Sequence, residues 1–386
     1  MKARLTTLTP VHIGNGTTYN KGIDFIQKDE KIGIVDEKKV LQLIGPEYIG
    51  QWVAAIERYN PDIHQNKQLL LELLKDRGFE DIRLDQISAR ISKLKSLNNR
   101  STQLKEHYRA GLGVLTIPGS SMKGALKTMI LDYLVGENRY SFNISDIKHE
   151  RNYGRNEVKV DWKFDAVDKK LFGADATEKS TRFIQIGDVQ FHGVHSVVHE
   201  IKILNRYEDD WGFKTGQHFL VETIPPGKTT EFQWKLNHDL LNANKQKYPA
   251  LWKEEKIDFL KGSVNDFCSK IWNSSKNLID WEINLLKEEE FNVAGESMKK
   301  LYRQISNLME ECADNEFIIR VGANSGWMFM TAGWWRGFNE ELGDDYSKIR
   351  KVIQKKEYPE GMIWPKTRKI SNEGYVLGFV KVALFD

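Results

Sequence analysis

The stretch LTIPGSSMKGALKTMILDYL, residues 115–134, constrains the fold more than any other part of the chain. Leu115–Ile117 read as a strand, Pro118 ends it because proline has no N–H for a ladder, and Gly119 permits a sharp backbone turn. Ser120 or Ser121 can cap the helix that follows. Met122, Leu126, Met129, Ile130, Tyr133 and Leu134 then fall on one helical face. A strand feeding straight into an amphipathic helix is one step of a split βαβ unit, with the helix packed on a sheet.

The same turn holds more donors than a helix start needs. One cap would suffice, yet two serines are followed by Lys123 and Lys127. Open first-turn N–H groups and the positive helix end, beside two ammonium groups, suit a phosphate. Gly124 costs roughly 1 kcal/mol against alanine inside a helix unless something approaches closely there. The competing reading is an over-capped helix with solvated lysines. A Walker loop is excluded, because its spacer and terminal Gly-Lys-Ser/Thr are missing.

Elsewhere the pattern repeats in outline. MKARLTTLTP reads as a strand stopped near Pro10, and residues 22–36 as a hairpin turning at Lys28–Lys31. Leu69, Leu70, Leu73 and Leu74, then Ile87, Ile91, Leu94 and Leu97, predict a helix-rich insertion over about 46–109. Residues 135–180 are polar and punctuated by glycine, which predicts a long loop. RFIQIGDVQF and SVVHEIKILNR return to strand character. A second unit begins near residue 206 with a strand, a Pro-Pro-Gly turn and another strand. It continues through a helical stretch over about 238–312 and closes on strands with glycine loops. The expectation is an α+β chain of two tandem ferredoxin-like (RRM-like) units, 1–205 and 206–386, each with a helical insertion.

Charge speaks only through its placement. Fifty-seven Lys and Arg against 54 Asp and Glu give a net charge of +3, too little by itself to indicate a polyanion partner. The surplus gathers at the late stretch Lys348–Lys369, with eight basic residues and two acidic ones. Cys268 and Cys312 predict free thiols in a reducing compartment. The first residues carry no signal-peptide pattern and no apolar run is long enough to span a membrane, so a cytoplasmic location is expected.

Two more loops could carry chemistry. In TPVHIGNGTTYNKG, Gly14, Asn15 and Gly16 permit left-handed turns and close approach to a ligand, while His12 sits at the strand end. His12 could bond a phosphate or ribose, serve as a general base, or be a half-buried structural histidine. In RVGANSGWMFMTAGWWRGF, Gly322, Ser325 and Gly326 mark a tight loop. Trp327, Trp334 and Trp335 could stack on bases, dock a protein or fill a core. His192, His195 and His199 have helical metal-ligand spacing, but their segment alternates like a strand, which parts His195 and His199 by about 13 Å. No metal site or cofactor is expected.

Taken together, LTPVHIGNG, IPGSSMKGALKT, IRVGANSGW followed by TAG, and PKTRKI followed by LGFVKV resemble the RAMP proteins of type III CRISPR systems. In order and spacing they are most similar to the type III-A (Csm complex) subunit at the 3′ end of the CRISPR RNA. The resemblance runs from residue 5 to 385. It implies two RRM-like RAMP domains, guide contacts through the glycine loops, and a non-catalytic role in 3′ maturation. Implied partners are the CRISPR RNA, the backbone RAMP subunit, a neighbouring small helical subunit and recruited host nucleases. Carried over by motif, His12, Gly14 and Gly16 form the first loop and Gly119, Ser120, Ser121 and Lys123 the gripping loop. Lys366, Arg368 and Lys369 form the late basic motif. Asn15, Lys127, Gly322, Ser325 and Gly326 complete the expected RNA-binding set. Ala323 and Asn324 depart from the family's aromatic and glycine, which argues against base stacking there. The alternative implied by other RAMP relatives is a metal-independent endoribonuclease acting on precursor RNA, with His12 as base and Lys123 stabilising the phosphate.

Overall fold

A computed structural model describes residues 2–60, 68–95, 101–136, 148–153, 157–162, 165–207, 210–249, 252, 254–332 and 365–385. The first strand, β1 (Lys2–Thr7), alternates exposed and buried residues, with Ala3 and Leu5 inward. The hairpin expected at 22–36 is present as β3 (Phe25–Lys28) and β4 (Lys31–Val35), after β2 (Gly14–Asn20). Four helices follow: α1 (Glu37–Ile44), α2 (Ile49–Glu57), α3 (Leu69–Asp76) and α4 (Leu84–Ile87). Their apolar faces enclose a small separate core around Ile26, Val40, Trp52, Leu70 and Leu74.

The helical insertion is shorter than the spacing predicts. Residues 88–109 form strands, β5 (Ser88–Leu94), β6 (Gln103–His107) and the short β7 (Arg109–Ala110). The inward positions of β5 are Ser88, Arg90, Ser92 and Leu94, with Ser88, Ser92 and Leu94 buried. Polar residues thus occupy a period-2 face, and apolar periodicity could not register it. Strand β8 (Val114–Ile117) then enters α5 (Gly119–Gly136) as expected, with all six residues of its predicted apolar face buried.

The long loop expected over 135–180 is a second correction. It contains a hairpin, β9 (Lys148–Tyr153) with β10 (Glu157–Trp162), and a helix, α6 (Asp165–Phe172). A main-chain ladder needs no apolar stripe to form, so composition gave little sign of it. Short strands β11 (Ile184–Ile186) and β12 (Val189–Phe191) lead to β13 (Val197–Arg206), which pairs antiparallel with β14 (Trp211–Thr223). Strand β15 (Thr229–Leu236) follows the Pro-Pro-Gly turn. The helical stretch at 238–312 comprises α7 (His238–Lys247), α8 (Glu254–Ile257), α9 (Val264–Leu285) and α10 (Val293–Glu310). The chain closes with β16 (Glu316–Arg320), β17 (Thr367–Ser371) and β18 (Phe379–Phe385).

The fold is α+β. One sheet runs β11-β15-β1-β18-β16, and a larger one runs β2-β6-β14-β13-β5-β4-β3 with β17 also on β13. The first strand of the chain therefore lies between two strands from its second half. Helices α5 and α9 pack on this sheet and on each other, and the main core spans both halves, from Ala3 to Leu384. That interleaving brings loops more than 300 residues apart in sequence to one place. Cys268 is buried in α9 and Cys312 is half-buried just beyond α10, both free thiols. Among the described residues no helix is long and apolar enough to cross a membrane.

Candidate nucleic-acid interface

Three of the four sequence-predicted loops meet. Gly322, at φ +87°, follows β16, and a Cβ there would stand 2.4 Å from the His12 carbonyl oxygen. Only glycine fits so close a crossing. The Ala323 N–H donates to that same carbonyl at 2.9 Å. Thr128 on α5 donates to the Met330 carbonyl at 2.7 Å, tying the helix to the same segment. Between them lies an open cavity of about 380 Å³, lined by Gly14 from the first loop, Ser121 and Gly124 from α5, and Gly322 and Ser325 from the third.

The helix tip is less open than its sequence implies. The Gly119 N–H donates to the Asp188 carboxylate at 2.8 Å, and the Ser121 and Met122 N–H groups fall back on the Pro118 carbonyl. A Cβ on Gly119 would stand 2.2 Å from the Ile186 carbonyl oxygen, so this glycine serves backbone packing. Lys127 is paired with Asp168 and lies over the Phe172 ring. What remains open is Ser120, which is exposed, Lys123, and Gly124. Burial holds the half-buried Lys123 amine below the ordinary lysine range. Nothing stands within 4 Å of where a Gly124 Cβ would be. This helix glycine has no neighbour that requires it, and it faces the cavity.

His12 does not face solvent. Its ring is buried, with Nδ1 2.7 Å from the Glu222 carbonyl oxygen. A carbonyl only accepts, so Nδ1 carries the proton. Burial, the largest influence, lowers its pKa. His107 packs edge-on against it at 6.1 Å and accepts from the Ile13 N–H at 3.1 Å. Burial foremost pushes the His107 pKa down to about 3. Outside these rings, Gly14 and Gly16 sit on a bulge where β2 shifts register against β6, and Asn15 donates to Glu106 at 2.6 Å.

Beneath this loop lies a polar network that sequence reasoning missed. The Glu222 carboxylate is buried and accepts from Arg109 at 2.5 Å, Ser196 at 2.7 Å, the His107 N–H at 3.2 Å and Arg90 at 3.4 Å. Burial, its largest influence, would raise its pKa, but Arg90, Arg109 and Ser196 outweigh it and the net shift is downward. The signal was a lone acid in the apolar run HFLVETI.

The late basic motif divides. Arg368 is buried, with its guanidinium forked onto Glu282, one arm at 2.9 Å. Lys369 donates to Asn324 at 3.2 Å, and partial burial lowers its pKa. Lys366 lines neither cavity, and its carbonyl accepts from the Arg206 N–H at 2.8 Å. Arg368 and Lys369 line a second cavity of about 310 Å³ with Gly326, Trp327 and Arg320. Arg320, also unforeseen, is buried and donates to the Tyr302 hydroxyl at 3.0 Å and the Leu377 carbonyl at 2.7 Å. It lines both cavities, joining the late motif to the cradle. Trp334, Trp335 and the basic run before Pro365 lie outside the described residues.

The model of the RAMP superfamily matches residues 4–327. The chain belongs to the RAMP superfamily. Its layers accordingly are those of tandem ferredoxin-like RAMP domains with helical insertions. Over 137 residues it is 27% identical to the CRISPR system Cms protein Csm5 of Streptococcus thermophilus, covering 34% of this chain and 38% of that relative. The aligned part is thus well under half of the relative's length. Among solved structures, it is similar to a chain in a Csm–crRNA–target RNA ternary complex of a type III-A CRISPR-Cas system. The TM-score is 0.67 at 17% identity, with 99% of this chain and 100% of that one covered. The crystal structure of T.onnurineus Csm5 is similar at TM-score 0.64 and 17% identity, with the same coverage. These likenesses extend the RAMP fold over the whole chain.

Proposed function

We propose that this RAMP protein is a guide-RNA-holding subunit of a type III-A CRISPR effector complex, placed at the 3′ end of the CRISPR RNA. The observation that carries the reading is the meeting of the first glycine loop, α5 and the third glycine loop around one open cavity. Gly124 is central to it, a helix glycine with no intramolecular need that leaves room for a sugar-phosphate strand. A subunit holding guides of any spacer sequence must read backbone and shape, and the cradle offers the Ser121 hydroxyl, with exposed Ser120 and the half-buried Lys123 on the adjoining first turns of α5. The Ser120 and Ser121 hydroxyls and Lys123 are the groups we assign to phosphate. Arg368 and Lys127 hold the cradle's walls through their carboxylate partners. The backbone RAMP subunit and the small helical subunit are the proposed neighbours, with recruited nucleases trimming the guide.

The role proposed is non-catalytic. The His12 Nδ1–H on the Glu222 carbonyl leaves Nε2 as the acceptor, but the ring is enclosed, a poor position for a base that must reach a 2′-hydroxyl. Crosslinking of RNA to the purified assembly, mapped to peptides, tests both readings. Contacts at residues 119–124 and 322–326 support the cradle, and their absence sinks it. A discrete cut of precursor RNA in EDTA, lost in His12→Ala, would replace it with the endoribonuclease.

A further inference from the structure

The chain has a single Asn-Gly step, Asn15–Gly16, and it lies in the first glycine loop. Strand β2 is at the edge of the larger sheet, and its pairing with β6 jumps from Gly14 opposite His107 to Thr18 opposite Lys105. Asn15, Gly16 and Thr17 therefore bulge out of the ladder, and all three are exposed.

The local geometry favours a reaction between this asparagine and the peptide that follows it. Asn15 Oδ1 accepts from the Thr17 N–H at 2.9 Å, which folds the side-chain amide back over the Gly16 peptide. The side-chain carbon Cγ and the Gly16 nitrogen are thus held in one small turn. Gly16, at φ +93°, has nothing within 4 Å of where a Cβ would stand, so no side chain shields its nitrogen. The Thr17 N–H also points at the oxygen that gathers negative charge when that nitrogen attacks.

We propose that Asn15 is a site of self-modification by deamidation. The Gly16 nitrogen bonds to Asn15 Cγ, the bond from Cγ to Nδ2 breaks, and ammonia leaves carrying the Gly16 amide proton. A five-membered succinimide remains, and water opens it at either carbonyl to give aspartate or isoaspartate. Nothing is oxidised or reduced, and water is the one co-reactant.

The product cannot keep the bulge as it stands. Asn15 Nδ2 donates to the Glu106 carboxylate at 2.6 Å. A carboxylate in its place has no proton to give, and two ionised carboxyls at that distance repel. Arg90 holds Glu106 in place at 2.5 Å and also reaches buried Glu222, so its charge is already shared between two carboxylates. The bulge therefore opens away from β6, and negative charge appears on the loop that brings Gly14 to the cradle. The modification itself stands apart from the guide-binding reading, and its effect on RNA rests on that reading.

Peptide mapping of the full chain by mass spectrometry, after incubation at mildly alkaline pH, tests the site. Exchange of NH2 for OH adds about 1 Da, and isoaspartyl methyltransferase labels the isoaspartate. Asn15 should convert ahead of every other asparagine in the folded chain. Asn15→Gln should abolish the label at this position, because glutamine must close a six-membered ring. A folded chain that keeps Asn15 intact while the guanidinium-unfolded chain converts it overturns the site. Asn15→Asp supplies the product directly. It should speed amide hydrogen exchange over residues 14–18 at least about tenfold and weaken guide binding roughly fivefold at low salt. Unchanged exchange overturns the opening of the bulge. Faster exchange with undiminished guide affinity upholds the modification and overturns the placing of guide RNA on this loop.

Discussion

Gly124→Glu separates binding from folding. The position is in the interior of α5, exposed, with no atom within 4 Å of an added Cβ. Glutamate is a better helix former than glycine by about 0.5 kcal/mol or more, so the variant should be as stable as the parent or slightly more so. The new carboxylate would enter the cavity shared with Ser121, Gly322 and Ser325. At about 5 Å from a bound phosphate and an effective dielectric near 20, repulsion is roughly 3 kcal/mol. Salt and side-chain rotation reduce it to about 1–2 kcal/mol, a loss of roughly tenfold in affinity at low ionic strength. Fluorescence anisotropy of a labelled guide across a salt series reads this directly. The deficit should shrink as salt rises, and urea denaturation should show the fold intact. Gly124→Ala gives the converse control, gaining roughly 1 kcal/mol of stability with a smaller binding loss. A folded Gly124→Glu protein that binds guide RNA as tightly as the parent at low salt would refute the cradle.

Other perturbations should read mainly in stability. Gly322→Ala forces a side chain onto φ +87° and into the His12 carbonyl, and should cost about 2–4 kcal/mol, measured as a lowered urea midpoint. Arg368→Ala strands the buried Glu282 carboxylate and should destabilise by about 3–5 kcal/mol; a stable variant with selectively lost RNA binding would contradict the structural role. Acid should weaken the fold through His107. Its folded pKa of about 3 lies below the usual 6.5, so the unfolded state takes up the proton first and stability falls as pH drops through that window. Between pH 7 and pH 4 the loss approaches about 3 kcal/mol, and His107→Gln should flatten this part of the profile in urea titrations at fixed pH. The depressed Glu222 pKa contributes stability present above the usual carboxylate range and lost below it, so some acid sensitivity should survive in that variant.

The elements themselves were mostly legible in the sequence. Residues 115–134 announced a strand, a turn and a helix with the right buried face, because each signal is local: a proline stop, a glycine turn, apolar spacing. The hairpin at 25–35 and the long helices after 264 were equally plain. Reading failed at 88–109, where the inward face of β5 is serine and arginine, and at 148–162, where charged strands pair through their main chains.

What each charged residue does could not be read locally. Lys123 and Lys127 look alike in sequence, but only Lys127 meets Asp168, which follows on a later helix. Arg368 looked like its lysine neighbours until Glu282, 86 residues earlier, took its guanidinium. His12 looked available until Glu222 and His107 closed over it. Sequence alone determined where the backbone can turn and which faces are apolar, since these follow from φ/ψ freedom and transfer free energy of the residues themselves. The tertiary structure decided which cations are already neutralised and which glycines face empty space, because β1 lies between β15 and β18 and sets distant loops side by side. Pairing and desolvation depend on neighbours that only the folded chain supplies.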